Sequence, residues 1–298
     1  MSRIETSSRR SFLLRTGAAL ASGLALPGLV PILGFLRAEE NGEEIFQQKM
    51  AWADRQNLAG QPLGSIIAEV GRSFLGAPYV AHSLEAPGRE HLVVNLRAFD
   101  CVTFVESTLA ISRCVRKNKK TFVDFTHELQ MLRYRGGSIQ GYPSRLHYFT
   151  DWIGDNERKG LVKNITGELG GLPVHKVFRI MSTHRTTYHQ LENEQNYRAI
   201  LAVEQRLSSR PYRVLPREHV AAAEAKIHDG DIIALATSLD GVDVTHTGFA
   251  AVSGGTVRFL HAPLSGGAVS ISKISLSEYV GTPSSTLTGI IVTRPLEP

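Results

Sequence analysis

Cysteine is nearly absent from this chain: its 298 residues hold two, Cys101 and Cys114. Two thiols are too few for the disulfide framework of a small secreted scaffold. Placed thirteen residues apart on one helix, they would lie about 20 Å from each other at about 1.5 Å per residue, too far to bridge. No HExxH or CxxC occurs, and His184 and His189 miss the i, i+4 spacing of helical zinc ligands. Nothing in the pattern asks for a metal or a cofactor. Internal repeats and low-complexity tracts are also missing. A basic surplus is present in name only. The net charge is +5, but Arg3, Arg9, Arg10, Arg15 and Arg37 stand against Glu5 alone in the first 38 residues, and the remainder carries 28 basic and 27 acidic residues. The high isoelectric point therefore belongs to the leader, and a nucleic-acid partner is not expected.

The leader also lacks an unbroken apolar run. Gly23, Pro27, Gly28, Pro31 and Gly34 interrupt it, which argues against a durable membrane-spanning helix, so that an uncleaved leader would be the one membrane anchor. The pair Arg9–Arg10 followed by Phe12 and Leu13 resembles a twin-arginine export signal over residues 1–38, with processing expected near Ala38 and the mature protein in the periplasm.

What remains, 42% hydrophobic and 20% charged, is the mixture of a globular protein with a sizeable core. Helical spacing of apolar residues predicts helices over Glu43–Asn57 and Pro62–Leu75. A turn-rich segment follows, with "HLVVNL" resembling a strand. From Cys101, the residues Val102, Val105, Leu109 and Val115 lay an apolar stripe along about four turns of helix, with Asp100 at the N-cap. Phe122 to Tyr134 reads as a helix stopped by Gly136 and Gly137. Residues 138–191 read as irregular and aromatic-rich, a length that loops seldom reach without a function. Glu192–Arg206 reads as another helix. The last hundred residues turn to β-rich runs, among them "GDIIALAT", "VDVTHTGFAAV", "GTVRFLHA" and "LTGIIVTR", separated by Gly, Asp and Ser. Helices first and strands last predict an α+β fold, with the Cys101 helix packed on a mostly antiparallel C-terminal sheet.

A cysteine in the first turn of a helix faces unpaired backbone N–H groups and the positive end of the helix dipole, which favour its thiolate and could hold an oxyanion. A base is then needed, and a third group to orient it. His246 in "THTGF" and His261 in "FLHAP" lie on successive strands joined by "VSGGT". A hairpin centred on Gly254 and Gly255 sets them roughly opposite each other on one face, His246 as base toward Cys101 and His261 as the group that orients it. By residue type alone, Cys101 is either such a nucleophile or a small buried hydrophobe. Cys114, mid-helix, reads as structural.

Taken together, "GAPYV", "FDCVTFVE", "HTGF" and "FLHAP" resemble the landmarks of NlpC-like, papain-related cell-wall amidases and peptidases. "LVVNL", "YPSRLHYFTDWI", "DGDIIAL" and "GIIVTR" narrow the resemblance to the N-acetylmuramoyl-L-alanine amidase-like branch, from about Leu63 to Arg294. The resemblance implies a papain-like/NlpC-like domain over residues 39–298, with an inserted substrate loop region at about 138–191. It also implies cleavage of the amide between (1,6-anhydro-)N-acetylmuramic acid and L-alanine of peptidoglycan fragments. Cys101 is then the nucleophile, His246 the base and His261 the third member. Tyr79 matches a tyrosine beside the site, and Arg145, His147 and Tyr148 form a candidate substrate wall suited to a sugar and a carboxylate. A stem-peptide endopeptidase cutting between D-Glu and the diamino acid, or a non-catalytic murein-binding module, are the alternative readings.

Overall fold

Backbone capping fixes where the central helix starts. In the computed structural model, which describes residues 30–85, 88–282 and 286–298, Asp100 has extended backbone and its carboxylate accepts the Thr103 N–H at 2.7 Å, while Thr103 Oγ1 accepts the Asp100 N–H at 2.9 Å. That reciprocal capping box satisfies two donors at the helix mouth and sets Cys101 in the first turn. The Arg9–Arg10 pair and most of the leader lie outside the described residues. Among the described residues no helix is long and apolar enough to cross a membrane.

The helices are α1 (Val30–Arg55), α2 (Leu63–Arg72), α3 (Cys101–Arg116), α4 (Phe122–Arg133), α5 (Phe149–Arg158), α6 (Ile180–Thr183), α7 (Glu194–Ser208), α8 (Val220–Ala223) and α9 (Leu276–Gly281). The strands are β1 (Val162–Asn164), β2 (Leu172–Val174), β3 (Tyr212–Pro216), β4 (Ile232–Thr237), β5 (Val244–Ser253), β6 (Thr256–His261), β7 (Ser270–Ile271) and β8 (Leu287–Pro295). They form one sheet in the order β2-β3-β8-β4-β5-β6-β7, with β1 also on β8, and every pairing is antiparallel. The fold is α+β.

Alternate residues of the sheet serve different layers. Ile232, Ala234, Phe249, Ala251, Leu260 and Ile291 pack against the helical half. Ile233, Leu235, Ala250, Phe259, Ile290 and Val292 pack on the other side with Val220 and Ala223 of α8 and Leu276 and Val280 of α9. Covered on both faces, β4 is buried at all six positions, which explains why "IIALA" shows no polar alternation.

Helix α3 departs from the amphipathic expectation. Every residue from Thr103 to Val115 is buried, because α2, α4, α1 and β5 surround it. Phe104 meets Phe99 and Phe249, each at 5.8 Å between ring centroids. The charged residues buried along α3 are matched internally, while the buried Thr108 hydroxyl is left without a partner. Glu106 accepts from Arg133 Nε at 2.7 Å and Trp152 Nε1 at 3.2 Å, and Arg113 Nε donates to Glu128 at 2.8 Å. Burial raises the Glu106 carboxyl pKa and the Arg133 charge opposes the shift.

Two further expectations change. "HLVVNL" is extended but joins no strand: Val94 and Leu96 enter the core while the Val93 carbonyl accepts Arg133 Nη1 at 2.5 Å. The stretch read as irregular contains α5, whose buried Phe149, Trp152, Ile153 and Asn156 follow helical spacing. Asn156 Nδ2 ties it to α4 through the Leu132 carbonyl at 3.0 Å. Pro62 is the N-cap of α2 and not its first residue.

Candidate active site

The two glycines of the β5–β6 turn, Gly254 and Gly255, have φ of 57° and 77°, as a two-residue hairpin of this twist requires. Register follows from the turn: Ser253 pairs with Thr256 and Gly248 with His261. His246 therefore lies two residues from the position opposite His261, on the same face and diagonal to it. The rings meet nonetheless, His246 Nε2 to His261 Nδ1 at 2.7 Å. Gly248 makes the diagonal contact possible, since a Cβ there would stand 2.5 Å from the Leu260 carbonyl oxygen and 2.8 Å from both His261 Cβ and the Phe259 ring.

Upstream of His246 the ladder with β4 shifts. His246 pairs with Leu235 but Val244 pairs with Ala236, leaving Thr245 as an extra residue on β5. Such bulges re-aim side chains and recur beside functional sites.

Cys101 reaches the sheet where β6 runs out. The β5–β6 ladder ends at the Gly248–His261 pair, and the next amide on β5, that of Thr247, favours the thiolate of Cys101. Thr247 is fully buried and held by its own Oγ1 donating to the Ile233 carbonyl at 3.0 Å. The residue that follows His246 in the chain thus acts on the sulfur. The amides of Cys101 and Val102 also favour the thiolate, as a helix mouth should. They do not prevail. Burial, then the charge of Asp100, push the Cys101 thiol up to about 12, so the resting sulfur carries its proton and the expected thiolate is not the ground state.

His261 lies in an apolar slot, 3% exposed, stacked on Phe259 at 4.5 Å and edge-on to Tyr279 at 5.4 Å. Burial lowers its pKa to about 4, so its imidazole is neutral at physiological pH. A neutral His261 can accept at Nδ1 the proton that His246 carries on Nε2, which leaves His246 Nδ1 with a lone pair. Cys114 is fully buried in the core beneath α4, and burial pushes its thiol up to about 12 as well.

Tyr79 stands beside the sulfur. Its backbone bridges Phe99, its N–H donates to the Gly267 carbonyl at 2.8 Å, and burial together with the Cys101 and Asp100 charges raises its phenol. The other three expected wall residues are engaged elsewhere. Arg145, 4% exposed, does not offer a free guanidinium to a ligand: it donates to the Leu84 carbonyl at 2.6 Å and Glu85 at 2.8 Å and pairs with Glu90 at 3.4 Å. Tyr148 is buried, with its hydroxyl donating to Glu204 at 2.6 Å. His147 is half-buried against Tyr142, its Nε2 donating to the Tyr142 carbonyl at 2.9 Å; burial and then Arg145 hold its pKa well below the ordinary value. Residue types alone could not tell these anchored groups from open ones. Conversely, Thr247, Gly248 and the Phe259–Tyr279 slot have no sequence signal beyond the glycine in "HTGF".

A cavity of about 450 Å³ lined by Glu69, Arg72, Ala251, Ser253, Arg258 and Ile271 lies at the turn end of the hairpin, away from Cys101. Among the described residues no three His, Cys, Asp or Glu side chains converge as a metal site.

Comparison with known proteins bears on this arrangement. An N-acetylmuramoyl-L-alanine amidase from Bacteroides uniformis ATCC 8492 is 37% identical, with a TM-score of 0.74, over 78% of this chain and 99% of that one. A Bacteroides fragilis structure provisionally named a xylanase is 37% identical, with a TM-score of 0.70, over 76% and 99%. A Legionella pneumophila protein at 19% identity, with a TM-score of 0.68 over 88% and 97%, shares the fold alone. No curated protein matches the chain. Residues 69–287 match the family model described as AmiA-like, N-acetylmuramoyl-L-alanine amidase-like, and the chain belongs to that family of peptidoglycan amidase-like hydrolases.

Proposed function

We propose that this chain is an exported cysteine amidase of NlpC-like, papain-related architecture, acting on the amide between (1,6-anhydro-)N-acetylmuramic acid and L-alanine of peptidoglycan fragments. One observation carries the reading: the 2.7 Å contact of His246 with His261, on the strand whose next amide, that of Thr247, favours the Cys101 thiolate. The contact supports a base paired with the group that would orient it, and the influence of the Thr247 amide on the Cys101 thiol supports a nucleophile on the same side of the sheet.

Because the resting sulfur is a thiol, attack is coupled to proton transfer. His246 Nδ1 takes the S–H proton as Cys101 attacks the lactyl carbonyl, and the imidazolium so formed is steadied by neutral His261. The negative charge that develops on the carbonyl oxygen is met by the first amides of α3. His246 returns the proton to the leaving L-alanine nitrogen, the C–N bond breaks, and a thioester on Cys101 remains. Water, deprotonated by His246, adds to the thioester; the C–S bond breaks and the thiolate recovers the proton. Tyr79 contributes to the substrate wall, and Arg145 braces that wall through Leu84, Glu85 and Glu90. The leader with Arg9–Arg10 carries the folded enzyme to the periplasm, where murein fragments arise.

Incubation of a defined anhydromuropeptide with the enzyme, followed by mass spectrometry, tests the reading. Release of the intact stem peptide is expected, and Cys101→Ser and His246→Ala should each abolish it. Full turnover in either variant overturns the mechanism, and products cut within the stem overturn the bond assignment.

A further inference from the structure

Residues 80–98 leave and return to the nucleophile. At one foot, the Tyr79 backbone bridges Phe99 and the Val80 N–H donates to the Phe99 carbonyl at 3.0 Å; at the other, Asn95 Oδ1 accepts from Arg97 and Ala98, immediately before Asp100 and Cys101. Whatever orients the described flanks of this segment therefore orients the surface next to the sulfur. Gln190 Nε2 donates to the Gly88 carbonyl at 2.7 Å, and side chains of the strip 133–145 supply further ties. Arg133 donates to the Val93 carbonyl, Tyr134 Oη lies 2.8 Å from both Glu90 Oε1 and the His91 carbonyl and shares its one hydrogen between them, and Tyr142 Oη donates to Glu85 at 3.3 Å. Arg145 is the hub, with Leu84, Glu85 and Glu90 on its guanidinium and the Tyr142 ring 4.9 Å beneath.

Charge makes the hub asymmetric. Glu85 and Glu90 approach a common cation, and without it two carboxylates, one of them 6% exposed at its side chain, lose the cation between them and keep the hydroxyls of Tyr142 and Tyr134. Paired charges in such a place are costly to separate. Burial of Glu90 raises its pKa and the Arg145 charge is the largest opposing influence, in line with the geometry.

We propose that Arg145 is a positioning residue for substrate: it locks Leu84–Glu85 and Glu90–Val93 into a rigid wall beside Cys101, so that muropeptide binding depends on it while the chemistry of the thiol does not. The inference deepens the amidase reading and rests on it for the identity of the substrate. It predicts a split between kinetic constants. Arg145→Met should raise KM for an anhydromuropeptide about tenfold or more with kcat within about threefold, as expected when ground-state and transition-state binding are lost together. The rate of Cys101 alkylation by iodoacetamide, too small to need the wall, should be unchanged. Glu85→Gln, which keeps the Leu84 and Glu90 contacts, should show the same split more weakly, and serves if Arg145→Met does not fold. A fall in kcat at constant KM, slower alkylation, or no change in either constant overturns the assignment. If wild-type enzyme turns over no muropeptide, the amidase reading fails first. Calorimetry then decides the wall separately: Cys101→Ala should bind 1,6-anhydro-N-acetylmuramyl-tripeptide more tightly than Cys101→Ala/Arg145→Met, and equal affinity, or no binding by either, refutes the inference.

Discussion

Gly248→Ala adds one methyl group at the point where the two histidine-bearing strands meet. The new Cβ would lie 2.5 Å from the Leu260 carbonyl oxygen and 2.8 Å from both His261 Cβ and the Phe259 ring. None of these neighbours is the free end of a flexible side chain. Leu260 contributes ladder backbone, and Phe259 and His261 are buried and stacked at 4.5 Å. The strands must part or the rings must turn. Overpacking of this kind costs about 1–3 kcal/mol, which for a chain of this size lowers Tm by about 2–5 °C. Relief by ring movement acts on the 2.7 Å His246–His261 contact. Displacement of a catalytic group by about 1 Å costs about a hundredfold in rate, so kcat for anhydromuropeptide cleavage should fall by about that factor. Gly254→Ala is the control: nothing lies within 4 Å of its Cβ, and only its φ of 57° is unfavourable. It should lose about 1 kcal/mol through the left-handed backbone and keep its turnover. Thermal melts and initial rates on both variants decide the matter. Wild-type turnover by Gly248→Ala would refute the claim that this glycine exists to let the two imidazoles touch.

Other tests address the charges around the site. His261 is 3% exposed, with a folded pKa of about 4. The unfolded chain, with histidine near 6.5, therefore binds the extra proton first as pH falls, and stability contributed by neutral His261 is lost between about pH 6.5 and 4, up to about 3 kcal/mol. Urea titrations from pH 7 to 4 should show this slope, and His261→Asn should flatten it; an unchanged slope would place the proton elsewhere. Asp100→Asn preserves an N-cap of equal quality but removes the carboxylate that adds to the burial of the Cys101 thiol. The midpoint of iodoacetamide labelling against pH should move down with stability nearly unchanged, and an upward or absent shift would contradict the electrostatic account.

Local rules carried the reading far along some parts of the chain. Asp100 before a run of apolar residues marked the start of α3, and the Gly254–Gly255 pair marked the hairpin, because capping and left-handed turns depend on neighbouring residues alone. A turn centred on Gly254 and Gly255 pairs His261 with position 248, two residues beyond His246, and period-two alternation preserves the shared face. Elsewhere locality failed. "HLVVNL" has strand composition, yet Arg133 takes the Val93 carbonyl and no strand lies alongside. α5 was hidden because its inward face includes Asp151, Asp155 and Asn156, polar residues whose partners, such as Arg135, Arg206, the Gly136 amide and the Leu132 carbonyl, come from distant stretches of chain.

The sequence by itself determined which groups could do chemistry: a thiol at a capped helix mouth and two imidazoles one hairpin apart, since these follow from spacing and backbone preference. Tertiary structure alone decided their state and their company. Burial raised the thiol and lowered His261, and a ladder that ends at Gly248 brought the Thr247 amide to the sulfur. Arg145 was turned away from open space toward Glu85 and Glu90. Desolvation and pairing depend on which distant atoms exclude water from a group, and no window of the chain contains that information.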